Sequence, residues 1–220
     1  MAESSQGNRR HIPQRKSGWA IALTQWLQRA GVKPNQISIL GLIFSAAAAA
    51  CLIASGQTSG GSRVALLVIA ALCLPFRLLC NMVDGMLAVE CGMQGPDGLI
   101  YNEIPDRLSD LAVLAAAGYA APGIPWAHEL GWIAAITALL TAYVRTLGVA
   151  AGASEHFDGP MAKPRRMHVM IGAALLATLE PRFGWPTGVV LLAGLVIVTA
   201  GSIATIVLRL RLIGADLGRA

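Results

Sequence analysis

The stretch RLLCNMVDGMLAVECGMQGPDGLIYNEIPDRLSD, residues 77–110, decides the fold of this chain. It joins two apolar segments that are each long enough to cross a membrane, and it places charged and amide side chains inside both. A charged side chain in the hydrocarbon of a bilayer is costly, so it usually marks a functional site. We therefore expect the functional site in this stretch and interpret the rest of the chain as its support.

The composition is typical of a membrane protein, because the 220 residues are 55% hydrophobic and 13% charged. A membrane-spanning helix needs about 20 mostly apolar residues. The candidate spans are 35–55, 64–89, 99–121, 130–152, 166–181 and 186–208, of which the fifth is the shortest. The sequence therefore predicts an all-α, polytopic membrane protein with six transmembrane helices, folded as a single membrane domain over residues 17–220.

The distribution of Lys and Arg predicts the orientation of the chain. Six of these residues precede Pro34, three lie between the fourth and fifth spans, and three lie near the C-terminus, whereas the opposite loops hold only Arg63 and Arg182. Because Lys and Arg stay on the cytoplasmic side, both termini are predicted to be cytoplasmic, with the protein integral to the cell (inner) membrane. The net charge of +5 reflects this asymmetry and attraction to anionic lipid, and nucleic-acid binding explains it less well.

The N-terminal region divides into two parts. Residues 1–16 are polar and basic without periodicity, which predicts a disordered basic cytoplasmic tail, and no signal peptide is recognised there. Residues 19–30 form one apolar face with two tryptophans, which predicts an amphipathic helix along the membrane interface, although a simple membrane anchor fits equally well. Gly31 and Pro34 separate this helix from the first span.

Cysteine and histidine give no sign of a metal or disulfide framework. The four cysteines form no CxxC pair, so we expect them to pack in the core. His156 and His168 have no carboxylate or cysteine at metal-binding spacing, so they are predicted to be loop and surface residues.

Polar residues repeat at helical spacing on both sides of the loop in residues 77–110. They are Arg77, Asn81 and Asp84 in the second span, with Ala88 on the same face, and Asn102, Asp106 and Asp110 in the third. Spacings of three and four put each set on one helical face, and the short loop predicts antiparallel neighbours. With about 1.5 Å of rise per residue, Asn102 and Asp84 lie about 6 to 7.5 Å deep, Asn81 and Asp106 about 12 Å, and Arg77 and Asp110 about 18 Å. The deepest level therefore predicts a structural ion pair between Arg77 and Asp110.

The upper two levels predict a metal site. Two carboxylates and two Asn carbonyls form a hard oxygen-ligand set that suits Mg²⁺ or Mn²⁺ rather than zinc. Such ions are usually also bound by substrate phosphates, so a phosphate-containing ligand is expected. The small residues Gly85, Ala88 and Gly98 lie at the opening of the same site, which we call the mouth, and leave room for this ligand. The alternative is a polar contact between two helices without metal.

Residues 81–106 resemble the signature of the CDP-alcohol phosphotransferase family. These membrane enzymes move a substituted phosphate from a CDP-linked lipid to an alcohol and release CMP. The pattern is D-x2-D-G-x2-A-R-x8-G-x3-D-x3-D, and the positions here are Asn81, Asp84, Gly85, Ala88, Val89, Gly98, Asn102 and Asp106. Five of the eight match, and Asn81, Asn102 and Val89 depart from it. The surface helix, the run GVKPNQIS and the six spans are similar to the family's layout.

The resemblance implies roles for these residues. Asp84 is a metal ligand shared between two ions, Asn81 and Asn102 stand where further carboxylate ligands are expected, and Asp106 is both a ligand and the general base. Gly85, Ala88 and Gly98, with Asp84, lie where the CDP group binds. The two Asn residues remove two ligand charges, which should weaken metal binding or leave one ion tightly held. A homodimer is also implied.

A second register of the signature takes Asp106 and Asp110 as the D-x3-D pair. It puts Asn102 at the glycine position and leaves Arg77 without its partner, so the first register is preferred.

The basic residues near the fourth and fifth spans have two interpretations. Arg145 is either a snorkelling arginine or a phosphate ligand. Lys163 and Arg166 suit the phosphate of an acceptor alcohol, although positive-inside topology alone also predicts charges there.

The favoured function is transfer of a phosphatidyl group from CDP-diacylglycerol, or another CDP-alcohol, to a small alcohol such as glycerol 3-phosphate. The alternatives are a catalytically impaired family member that acts as a membrane binding partner, and a transporter or channel. The lack of visible inverted repeats counts against a transporter.

Overall fold

The structure, a computed structural model, describes residues 17–93, 95 and 98–218, with only the backbone described for Leu99 and Lys163. The predicted tail over residues 1–16 lies outside this part of the chain. The described residues form helices joined by short loops: α1 (Gly18–Arg29), α2 (Pro34–Gly56), α3 (Gly60–Val89), α4 (Gly98–Tyr119), α5 (Ala127–Ala150), α6 (Lys163–Ala177), α7 (Glu180–Phe183) and α8 (Val189–Leu217). The all-α prediction is confirmed.

Four of these helices, α2, α3, α5 and α8, are long and apolar enough to cross a membrane. The other two long helices correspond to the third and fifth predicted spans. Helix α4 has 22 residues, but it carries Glu103, Asp106, Arg107 and Asp110, and α6 has only 15 residues and begins with a basic run. The structure therefore supports a multi-pass membrane protein, and the count of six spans stays a prediction.

Helix α1 packs against the C-terminal half of α3. Its Ala20 and Thr24 are buried, and the Thr24 hydroxyl lies 3.7 Å from the sulfur of Met86. Trp19 and Trp26 are exposed on the other face. Gly31 adopts a left-handed conformation with φ of 72° in the turn after α1, and Pro34 is the first residue of α2. The predicted helix is present one residue earlier than expected, and its position along a membrane surface stays a prediction.

Helix α2 occupies the centre of the arrangement, because it packs along both α3 and α4, whereas α3 and α4 touch at only a few residues. Helix α5 packs between α4 and α8, and α6 packs between α3 and α8. Small residues allow the close approach of α4 and α5: a Cβ added at Gly131 would lie 2.8 Å from Ala115 O. The sequence analysis did not predict that α2 packs along both α3 and α4.

The end of the molecule away from the predicted site holds a buried ion pair, which we call the far-end cluster. Arg63 Nη2 lies 3.3 Å from Glu180 Oε2, and both side chains are buried. Their backbone partners are Ser55 O at 2.7 Å, Ala120 O at 3.0 Å, Gly188 N at 2.8 Å and Val190 N at 3.0 Å. The cluster therefore joins the C-terminal ends of α2 and α4 to the N-terminus of α8, where backbone groups lack helical partners.

Helix α8 holds the loop over residues 151–162. The contacts are Ser154 N to Asp216 Oδ2 at 3.1 Å, His156 Nε2 to Asp216 Oδ2 at 2.9 Å, Met161 N to Thr205 Oγ1 at 3.0 Å, and Arg209 to the carbonyls of Phe157 and Asp158 at 3.2 and 3.0 Å. His156 lies in this loop, as predicted, and its carboxylate partner Asp216 is 60 positions away in sequence, so no local spacing could indicate the contact.

Candidate active site

Three of the residues expected at the site, Asn81, Asp84 and Asp106, meet in a small pocket between α2, α3 and α4. Its lining residues are Ser38, Gly41, Arg77, Cys80, Asn81, Asp84, Asp106 and Ser109. The pocket has room for about one water-sized particle. The 3.6-residue periodicity explains how α3 and α4 present these side chains on one face each. The structure therefore brings together Asn81, Asp84 and Asp106.

Asp84 is held by a residue that the sequence analysis missed. Its side chain is 4% exposed, and Oδ2 accepts a hydrogen bond of 2.7 Å from the hydroxyl of Ser38 on α2. A hydrogen bond to a carboxylate is stronger than one between neutral groups, so this contact fixes the rotamer of Asp84. Ser38 lies 46 positions before Asp84, and no local spacing signals the contact.

Asp106 is held by an amide and a guanidinium. Asn81 Nδ2 lies 3.1 Å from Oδ1 and 3.0 Å from Oδ2 of this carboxylate. Arg77 Nη2 donates to Asp106 Oδ1 at 3.3 Å and to its backbone carbonyl at 3.4 Å. Asn81 therefore turns its amino group, which cannot bind a metal, toward Asp106.

Beneath the pocket, Arg77 and Asp106 belong to a chain of alternating charges that we call the buried charge network. Arg77 Nη2 lies 3.2 Å from Asp110 Oδ1, and Arg166 Nη2 on α6 lies 2.6 Å from Asp110 Oδ2. Both arginines are 1% exposed. Arg166 Nη1 also donates to Met161 O at 2.9 Å. The order of the network is thus Arg166, Asp110, Arg77 and Asp106, with the two arginines alternating with the two acids.

Asn102, proposed as a metal ligand, lies apart from the pocket. It is exposed on α4, one turn before Asp106, and is absent from the pocket lining. Gly85 and Ala88 near the end of α3 and Gly98 at the start of α4 are half-buried, closer to the loop between the two helices than the acids are. The mouth formed by Gly85, Ala88 and Gly98 and the pocket that holds the two acids therefore belong to different turns of the same helices.

Two of the three basic residues expected to bind an acceptor phosphate already contact acids. Arg145 lies 2.8 Å from Glu103 Oε1 and 2.7 Å from Glu155 Oε1, and its guanidinium stacks 5.1 Å from the ring centroid of Phe157. Arg166 is bound to Asp110, and the side chain of Lys163 lies outside the described part of the structure. A phosphate at Arg145 would have to replace one of the two carboxylates, so this role stays a prediction.

The donor set of the pocket fits one divalent ion. The carboxylates of Asp84 and Asp106 and the hydroxyls of Ser38 and Ser109 are hard oxygen donors of the kind that Mg²⁺ and Mn²⁺ prefer. Among the residues that the structure describes, no three His, Cys, Asp or Glu side chains converge as ligands. A second ion would therefore lack acidic ligands of its own.

Comparisons with known proteins identify relatives over most of the chain. The phosphatidylinositol phosphate synthase of Mycobacterium bovis is 25% identical over 211 residues, which cover 89% of this chain and 86% of that protein. The synthase of Mycobacterium marinum is 25% identical over 188 residues, which cover 81% and 73%. The inner membrane protein YnbA of Escherichia coli is 33% identical over 88 residues, which cover 40% and 41%. No protein-family model matches the chain.

Solved structures show that the fold is shared. The crystal structure of the Mycobacterium tuberculosis phosphatidylinositol phosphate synthase with CDP-DAG bound matches with a TM-score of 0.70 at 24% identity and covers 88% of this chain and 92% of that chain. The structure of the same synthase in complex with manganese and citrate also matches with a TM-score of 0.70 at 24% identity, covering 88% of both chains.

Proposed function

We propose that this chain is a CDP-alcohol phosphotransferase, which transfers a phosphatidyl group from a CDP-alcohol to a small alcohol and releases CMP. The relatives named phosphatidylinositol phosphate synthase support this proposal. CDP-diacylglycerol is the proposed donor. The observation that carries the proposal is the convergence of Asp84 and Asp106, from two different helices, on one buried pocket. Two carboxylates in the interior of a membrane protein are costly unless their charge is used.

In the proposed reaction, Asp106 is the general base. Its carboxylate accepts the proton of the acceptor hydroxyl, which then attacks the phosphorus of the donor lipid while CMP departs. The hydrogen bonds from Asn81 and Arg77 hold this carboxylate in one orientation, so its position is set before substrate binds.

The cofactor proposed is Mg²⁺ or Mn²⁺, held by Asp84 and Asp106. When bound, a divalent ion supplies charge stabilisation to the diphosphate of the donor. Ser38 prepares the site for this ion by orienting Asp84. Gly85, Ala88 and Gly98 lie near the mouth, where small side chains leave room for the cytidine group.

The proposed acceptor is a small phosphorylated alcohol. The sequence suggests glycerol 3-phosphate, and the name of the mycobacterial relatives suggests a phosphorylated inositol, so both belong in the first substrate screen. Arg145, whose guanidinium lies between Glu103 and Glu155, is the proposed phosphate ligand, because an incoming phosphate can take the place of either carboxylate. Lys163 and Arg166 complete the predicted basic set.

We also propose the placement of the chain in the membrane. Helices α4 and α6 join the four apolar helices as the third and fifth spans, α1 lies along the interface, and both termini face the cytoplasm of the cell (inner) membrane. A homodimer is the proposed assembly.

The first test is Asp106→Asn in the purified protein with CDP-diacylglycerol and Mn²⁺. Loss of a general base should reduce CMP release by about 10²-fold or more. Asp158→Asn is the matched control, because the Asp158 side chain is 64% exposed and lies outside the pocket. Turnover that is equal in the two variants contradicts the assignment of Asp106.

A second candidate is a member of the family that binds lipid or a partner without chemistry. It is favoured by the exposed position of Asn102 and by the amide of Asn81 that faces Asp106. The double variant Asn81→Asp, Asn102→Asp separates the two candidates. CMP release that appears only in the double variant supports the impaired member, whereas CMP release by the unaltered chain supports the enzyme.

A further inference from the structure

We infer that Arg77 and Asn81 take the place of a second divalent ion, so that the chain holds one ion and fixes Asp106 with its own hydrogen-bond donors. The inference rests on the proposed function, since it concerns the same pocket. The family resemblance implies two ions bridged by Asp84 and further acids. In this chain the structure departs from that arrangement at the carboxylate of Asp106.

The contact between positions 81 and 106 is the first step of the argument. The Asn81 amino group lies 3.1 and 3.0 Å from the two oxygens of Asp106. An aspartate at position 81 would face a second carboxylate at this distance, and the repulsion between two such acids would have to be offset by a cation, which the guanidinium of Arg77 beside Asp106 already supplies. Asparagine converts the contact into a pair of hydrogen bonds, so no ion is needed there.

The second step is the permanent cation beside Asp106. The guanidinium of Arg77 cannot lose its proton in a protein, and it lies 3.3 Å from Asp106 Oδ1. A second ion, beside the one held between Asp84 and Asp106, would meet this fixed positive charge at short range inside a poorly polarisable interior, without a further carboxylate to offset the repulsion. Arg77 is 1% exposed and also forms an ion pair with Asp110, so its side chain cannot move away to make room for an ion.

The third step is the charge balance of the pocket. Asp110 and Arg166 neutralise each other below it, so the pocket itself contains two acids, Asp84 and Asp106, and the single positive charge of Arg77. One divalent ion leaves the pocket with one positive charge, which suits an incoming diphosphate. Two ions would leave three positive charges, and Asn102, exposed outside the pocket, offers no carboxylate to offset them.

Arg77 also has a donor to spare. Its Nη1 is buried and has no hydrogen-bond acceptor in the described structure, whereas Nη2 makes all of the contacts to Asp106 and Asp110. An unsatisfied buried donor is rare, and it points to a missing acceptor. A water molecule or an anionic oxygen of the ligand supplies it.

The test is a direct count of bound metal, independent of turnover. Purified protein in detergent is dialysed against Mn²⁺, and bound ions are counted by elemental analysis and by electron paramagnetic resonance. One ion per chain is expected, with a spectrum free of coupling between ions. Two ions per chain, a coupled pair at the separation of about 3.5–4 Å found in two-metal sites, or no bound ion would overturn the inference.

Variants locate the cause. The double variant Asn81→Asp, Asn102→Asp should still bind one ion, because Arg77 remains. Adding Arg77→Met to it should raise the count to two, whereas adding Arg77→Lys should leave it at one, since the positive charge is kept. A count of two in the double variant alone would show that Arg77 does not exclude the second ion and would overturn the inference. Circular dichroism and size-exclusion chromatography check the fold, and if the Met variant unfolds, the unaltered chain and the Lys variant decide the outcome.

CMP release measured on the same samples separates this inference from the proposed function. One ion without CMP release under any donor contradicts the function and leaves the ion count standing. Two ions with CMP release contradict the inference and leave the function standing.

Discussion

The far-end cluster and the buried charge network are both built from buried Arg–carboxylate pairs, but they differ in how many of their hydrogen-bonding groups have partners. At the far end, the oxygens of Glu180 accept from backbone N–H groups and from Arg63, and Arg63 Nη1 donates to two carbonyls. At the site, Arg77 concentrates its contacts on Nη2, and its buried Nη1 has no acceptor among the described residues. The first cluster is complete with protein groups alone, whereas the second leaves one buried donor that a ligand or a water molecule could satisfy.

This difference separates a structural ion pair from a functional one. A buried pair that is fully hydrogen-bonded to backbone ties helix ends together, and breaking it leaves a charge without compensation. A buried network with an unpaired donor can still form a hydrogen bond to a ligand. Changes in the far-end cluster should therefore act on stability, and changes near the pocket should act on binding and turnover.

The largest effect on stability is expected from Glu180→Gln. It leaves Arg63 buried without its counter-charge, which typically costs about 3–5 kcal/mol. The unfolding midpoint in detergent should fall, while CMP release per folded protein should stay close to that of the unaltered chain. Glu129→Gln is the control, because Glu129 is exposed at the start of α5. Equal midpoints for the two variants would remove the structural role of the cluster.

Arg166→Met tests the opposite end of the network. It leaves two buried acids, Asp106 and Asp110, sharing Arg77, and should lower the free energy of unfolding by about 3 kcal/mol. Adding Asp110→Asn should recover about 1–2 kcal/mol, since the second change removes the uncompensated acid. The measurement is a double-mutant cycle of unfolding midpoints, and strict additivity would contradict the coupling. CMP release should also fall, because Arg77 loses one of its anchors.

Ser38→Ala tests the orientation of Asp84. A hydrogen bond to a charged group contributes about 1.5–3 kcal/mol, so Mn²⁺ affinity should weaken about tenfold or more, as measured by titration. The matched control is Ser45→Ala, because Ser45 is buried on the same helix and bonds to the Gly41 carbonyl one turn away. Equal Mn²⁺ affinity in both variants would exclude a role for Ser38 in the metal site.

The smallest effect is expected from Asp216→Asn. The contact between Asp216 and His156 is partly exposed, and such pairs contribute little to stability. The unfolding midpoint should hardly move and CMP release should be unchanged. A large loss of activity would show that the loop over residues 151–162 takes part in the reaction.

The sequence predicted the parts of this molecule that depend on local spacing. Steps of three and four along α3 and α4 put Asp84 and Asp106 on facing helical sides, and matched depth placed Arg77 beside Asp110. These inferences need only the geometry of a helix.

Contacts between distant segments could not be predicted in the same way. Ser38 reaches Asp84 because α2 lies beside both site helices, and Arg166 reaches Asp110 because α6 packs on α3. Counting Arg63 and Arg166 by membrane side predicted an orientation of the chain, but the ion-pair partners of both residues depend on tertiary packing. The lengths of α4 and α6 likewise reflect charges and prolines that a hydropathy window averages out.

Pro105 separates an exposed first part of α4, where substitutions are tolerated, from a buried second part that holds Asp106. It has no N–H to offer the carbonyl of Tyr101, so the turn before it is less firmly joined to the turns after it. Tyr101, Asn102 and Ile104 are exposed before it, whereas Asp106 is buried directly after it. The exposed residues of the first turns of α4 can thus change through substitution without moving the buried carboxylate of Asp106.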